Sequence, residues 1–106
     1  MQILVLVMCT RGPSLRESIA NDLRTTPQDL RVIREKQAGR APGWMKLESS
    51  VLVRGVMNVE WDPSSSVLIA RVITRGNAVS PIVGDFVNYV LGRHRRRVKT
   101  IVTSMR

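Results

Sequence analysis

Histidine and cysteine occur once each in the 106 residues, as His94 and Cys9, and that scarcity removes whole classes of chemistry. A lone cysteine cannot close an intramolecular disulfide, and one histidine with one cysteine cannot supply the ligand set of a zinc site. The expectation is a fold without metal or cofactor in a reducing, cytoplasmic setting. Aromatic residues make up only 4% of the chain, and no RNA-recognition, KH or zinc-finger pattern is present. Long apolar runs are missing too. The stretch from Ile3 to Met8 is far shorter than the roughly 20 residues that span a bilayer, and it lacks the charged leader and cleavage site of a signal peptide. No membrane association is expected.

Negative charge is scarce as well. Eight acidic residues face seventeen Lys and Arg, fourteen of them Arg, for a formal charge of +9. An excess of this size favours polyanionic partners. It is also uneven: residues 1–30 are neutral, whereas residues 77–106 carry six cations against Asp85 alone.

What the chain does contain is apolar residues spread along its length, 43% in all, enough to form a core. No low-complexity segment or long linker divides it, so one compact domain over residues 1–106 is expected. Gln2 to Met8 is a continuous aliphatic run that suits a strand buried on both faces, followed by a tight loop through Thr10, Arg11, Gly12 and Pro13. Ser14 and Glu17 form a capping-box pattern, and Leu15, Ile19 and Leu23 then share one face of a short helix reaching about Arg24. Leu30 to Glu35 reads as a strand, or alternatively as part of a helix capped by Thr26 and stopped at Gly39. A Gly- and Pro-containing loop, Gln37 to Gly43, leads into Trp44–Leu47.

Period-two alternation from Val51 to Trp61, a polar turn from Asp62 to Ser66, and a return strand from Val67 to Thr74 predict a β-hairpin. Ser80 and Pro81 open a helix whose Val83, Phe86, Val87, Val90 and Leu91 form one apolar stripe, with Gly92 as its stop. Val98 to Thr103 reads as a last strand. The expected fold is a small two-layer α/β sandwich of the α+β class, in ferredoxin-like β-α-β-β-α-β order with one extra strand or an elaborated loop. Two helices cover one face of such a sheet, so the second apolar face of Val67 to Ile73 would meet water; a homodimer formed through the sheet follows.

Three functional classes are compatible with these residues. The first is nucleic-acid binding. Arg93, Arg95, Arg96, Arg97 and Lys99 form the densest basic run, and guanidinium groups suit bidentate contact with the phosphates of RNA or DNA. Arg40, Lys46, Arg71 and Arg75 would extend such a patch, and Trp44, Trp61 or Tyr89 would stack on bases if exposed. The second is a protein-interaction or structural subunit, in which the charge only solvates the surface. The third is an anion-binding or thiol-based enzyme using Cys9, which precedes a helix N-terminus. The thiol-phosphatase spacing fails, because the sixth residue after Cys9 is Leu15 and Arg16 comes one place late. His94 lies between Arg93 and Arg95 in what reads as a solvated turn, without a carboxylate pair or a Ser-His-Asp arrangement to support catalysis. Gly39–Trp44 and Thr74–Asn77 place a glycine beside an arginine, which is ordinary turn chemistry or the lining of an anion pocket.

Overall fold

The computed structural model describes residues 1–49, 55–74 and 80–105. Along the chain run β1 (Gln2–Cys9), α1 (Leu15–Thr25), β2 (Leu30–Arg34), β3 (Met45–Ser49), β4 (Val56–Asp62), β5 (Val67–Ile73), α2 (Ile82–Arg93), a single 3-10 turn (Arg95–Arg97) and β6 (Val98–Met105). The strands form one six-stranded sheet in the order β2-β3-β4-β5-β1-β6, with every neighbouring pair antiparallel.

This order overturns the ferredoxin-like expectation. In that pattern a single strand separates the two strands of the β-α-β unit; here β5, β4 and β3 all lie between β1 and β2. The cause is local pairing. The stretch after Trp44 proves to be a full strand, β3, which pairs with β2 on one side and β4 on the other. Strands β2 to β5 therefore form an unbroken meander, and β2 is carried out to the sheet edge. Leu30–Arg34 is a strand and not a helix, while Val51–Arg54 of the expected hairpin and Arg75–Asn77 lie outside the described residues.

Alternation decides which face is buried. Ile3, Val5, Val7 and Cys9 of β1, Met45 and Leu47 of β3, Met57 and Val59 of β4, and Leu68, Ala70 and Val72 of β5 all point to one side. Against them α1 packs Leu15, Ile19 and Ala20, and α2 packs Ile82, Phe86, Tyr89 and Val90. Complete burial of a side chain such as Phe86 contributes about 2 kcal/mol by removing apolar surface from water. The close fit of α2 on the sheet depends on Gly55. A Cβ there would lie 2.5 Å from Ser80 Oγ and 2.9 Å from Ile82 Cβ, so only glycine lets the backbone before β4 approach the helix start.

The aliphatic run of β1 is not buried on both faces as expected. Leu4 and Leu6 lie on the side without helices and are half-covered by their lateral neighbours on β5 and β6. On this open face Ile69, Leu6 and Val102 stand in one cross-strand row, and Val67 with Met8 in the next. Ile73, at 77% exposure, marks one end of the stripe. Among the described residues no helix is long and apolar enough to cross a membrane.

Candidate nucleic-acid interface

The arginine run is held between two elements. At its start α2 reaches Arg93, one residue beyond the expected stop at Gly92, with His94 as C-cap donating its backbone N–H to the Val90 carbonyl at 2.8 Å. At its end the 3-10 turn feeds β6, and the Thr10 N–H donates to the Arg97 carbonyl at 2.8 Å. The turn is thereby docked on the loop after β1, which also brings Arg11 to the same rim.

Two of the five candidate phosphate ligands are engaged inside the protein. Arg93 grips Asp22 on α1, with Nη2 to Oδ1 at 2.5 Å and Nε to Oδ2 at 3.2 Å. Arg97 folds over the loop after Cys9, donating to Thr10 Oγ1 and the Thr10 carbonyl at 3.2 Å each and to the Pro13 carbonyl at 2.8 Å. Gly12 makes room for this: a Cβ there would stand 3.1 Å from Arg97 Nη2. Arg95, Arg96 and Lys99 are exposed, as is Arg11, and none of the four side chains has a hydrogen bond or ion pair among the described residues. The candidate interface is therefore these four cations, two of which, Arg95 and Arg96, line a shallow depression of about 380 Å³ together with Gly92, Arg93, His94 and Arg97.

His94 is not the solvated residue the sequence suggests. Its side chain is 12% exposed, and its Nε2 lies 2.9 Å from the Tyr89 hydroxyl. That hydroxyl gives its one proton to Asp22 Oδ2 at 2.7 Å, so the imidazole must be the donor, protonated at Nε2. Burial pulls the His94 pKa below its ordinary value; the nearby Asp22 acts the other way without prevailing, and the charges of Arg93 and Arg97 are lesser causes of the lowering. The Arg93 hydrogen bond holds the Asp22 carboxyl below the usual carboxylate range. Burial, then the bond to Asp22, pushes the Tyr89 phenol far up, so it stays protonated. The result is a neutral imidazole, a neutral phenol and a carboxylate in a row, pinning the basic turn to α1.

Cys9 is buried, with its thiol 3.4 Å from the Val7 carbonyl. Burial raises its pKa, and the Arg97 charge only partly offsets this. The arginine that folds over the Cys9 loop thus comes from 88 positions away; Arg16, the near miss in sequence, turns elsewhere. It is 5% exposed and donates to the Glu17 carboxylate at 2.5 Å, to Glu35 Oε1 and the Glu35 carbonyl at 3.3 Å each, and to the Trp44 carbonyl at 2.8 Å, joining α1, the end of β2 and the start of β3. Sequence reasoning missed this role, though a signal existed. Arg16 stands three and four residues before Ile19 and Ala20, on the buried stripe of α1.

The remaining expectations fare unevenly. Trp44 is buried, with its indole N–H donating to Asn58 Oδ1 at 3.2 Å, and Tyr89 is 7% exposed, so neither offers a ring face for stacking. Trp61 is half-buried against the core. Arg40 rests on the Trp44 ring 5.2 Å from its centroid. It lines, with Arg71, a small recess on the open face, and, with Arg16, Arg24 and Lys36, a cleft of about 800 Å³ that also holds Glu17 and Glu35. Arg71 lies apart from the arginine turn: it pairs with Leu4 near the start of β1, whereas the turn meets its end. Asp62 caps the polar turn it opens, accepting from Ser64 N at 3.0 Å, Ser64 Oγ at 2.7 Å and Ser65 Oγ at 2.8 Å. Among the described residues no three His, Cys, Asp or Glu side chains gather to hold a metal.

No protein-family model matches the chain, and neither a curated protein nor a solved structure matches it.

Proposed function

We propose that the protein binds the phosphates of RNA or DNA through the rim formed by Arg95, Arg96, Lys99 and Arg11, acting as a homodimer in the cytoplasm. The observation that supports this reading is the division of labour within the basic run. Arg93 and Arg97 fix the turn in place by binding Asp22 and the Thr10–Pro13 loop, and Arg95 and Arg96 are left exposed between them without an acidic partner among the described residues. A rigid turn presenting free guanidinium groups binds a polyanion with less ordering cost than a flexible tail of the same charge.

Filter binding of a short duplex and of a single strand across a salt series tests the proposal. Each cation removed from a phosphate should flatten the slope of log K against log salt by about 0.9 on duplex DNA, so the Arg95→Ala/Arg96→Ala protein should bind more weakly with a slope reduced by about 2. Its thermal midpoint should stay that of the unsubstituted protein, because neither side chain packs. Unaltered affinity and slope would reject the interface. No saturable binding at physiological salt by the unsubstituted protein would favour the second reading, a protein-interaction subunit, which the apolar stripe on the open sheet face supports.

A further inference from the structure

The two edges of the sheet are unlike. Strand β2 is protected in the ways natural edge strands are: it is five residues long, carries Arg31 and Arg34, and is broken by a bulge between Val32 and Arg34. Strand β6 is far less protected. It runs eight residues from Val98 to Met105, contains four β-branched residues in succession from Thr100 to Thr103, has no proline, and bears one charge, Lys99. Its inner side pairs with β1 along nearly its whole length, and its bulge falls only at the start, opposite Met8 and Cys9. Beyond it lies no further strand among the described residues, and six of its eight residues are exposed. Such an edge is a template for another strand.

We propose that β6 pairs antiparallel with β6 of a second copy, joining two six-stranded sheets edge to edge about a two-fold axis normal to the sheet. A second copy is the occupant because the strand is complementary to itself. The axis keeps each residue on its own face, so the register must centre on a residue. Centred on Ile101, it opposes Thr100 to Val102 and Val98 to Ser104, and it sets each Lys99 beside Thr103 of the other copy. The lone charge thus meets a hydroxyl and not its own kind. The half-exposed row Ile69, Leu6 and Val102 on the open face continues across the axis. This pairing gives the homodimer of the functional reading an edge contact in place of the contact through the open sheet face expected from the sequence, and it places the two arginine turns at opposite ends of the joined strands. Allowing strand and 3-10 rise, Arg95 in the two copies lies on the order of 30 Å apart, comparable with the roughly 34 Å turn of B-form DNA. The spacing has meaning only on the nucleic-acid reading, whereas the dimer does not need it.

Sedimentation equilibrium of the full chain without nucleic acid, over a concentration series, tests the pairing. The unsubstituted protein should weigh twice its 11.9 kDa chain mass. Thr103→Lys sets lysine against Lys99 twice across the axis and should weaken the dimer by about tenfold, and Thr103→Glu should tighten it. Lys99→Glu/Thr103→Lys should restore it. Thr103 is exposed, so an unchanged thermal midpoint will show that the variants fold. A monomer at micromolar concentration overturns the proposal, as does a dimer indifferent to Thr103→Lys. A dimer lost with Ile69→Lys but kept with Thr103→Lys also overturns it, assigning the contact to the sheet face. If dimers form as described and bind no duplex, the nucleic-acid reading fails and the edge pairing stands.

Discussion

Arg97 donates from Nη2 to the Pro13 carbonyl at 2.8 Å, across 84 positions of sequence. This bond, with those to Thr10, closes the loop after β1 onto the turn before β6 and makes Arg97 a structural residue within a run that otherwise looks uniform. Replacing it should therefore act on stability. Arg97→Ala removes three hydrogen bonds, two of them to half-buried oxygens of Thr10, and should lower unfolding free energy by about 1–2 kcal/mol in urea titration. An unchanged midpoint would return Arg97 to the set of phosphate ligands.

His94 makes stability depend on pH. Its folded-state pKa lies below the unfolded value, so the folded protein resists protonation there. The stabilisation is complete above the ordinary histidine pKa, near 6.5, and is lost as pH falls below it. Asp22 and Glu35, whose carboxyls are held low chiefly by Arg93 and Arg24, add a second loss at pH below about 4. Thermal midpoints should be flat from pH 8 to about 7 and decline through pH 6 and 5. His94→Gln should remove the first decline and leave the second; a profile identical to that of the unsubstituted protein would contradict the assignment.

Arg16 is the most buried charge among the described residues. Arg16→Met keeps the aliphatic stem and strands the Trp44 and Glu35 carbonyls, so it should cost about 2 kcal/mol. Chemical denaturation reads the loss directly. A variant as stable as the parent would show that the guanidinium network is replaceable by packing.

Cys9 should behave as an inert thiol. At 5% exposure and with a raised pKa, it should react with iodoacetamide near neutral pH far more slowly than a free cysteine, and at full rate only in denaturant. Fast native-state alkylation would revive the thiol-enzyme class.

Much of the fold is legible in the residues because it depends on near neighbours. Ser14 with Glu17 marks the start of α1, the spacing of Phe86, Val87 and Val90 marks α2, and Asp62 with its serines marks a turn. The sheet order was not legible, because pairing of β3 on both sides depends on what lies beside it after collapse, and alternation in a five-residue strand says nothing of its partners. The candidate site divides the same way. Composition and spacing located the basic run, since charge density needs no geometry to be counted.

Which of its cations remain free was decided in three dimensions. Asp22 lies 71 residues before Arg93 and Thr10 lies 87 before Arg97, and no local pattern links residues so far apart. The sequence by itself determined where the two helices lie, how much positive charge the chain carries and where that charge concentrates, because these follow from each residue and its immediate neighbours. Tertiary structure alone decided that two arginines fasten the turn while Arg95 and Arg96 face outward, and that β6 ends the sheet with its edge uncovered. Both outcomes arise from contacts between segments that only the folded chain brings together.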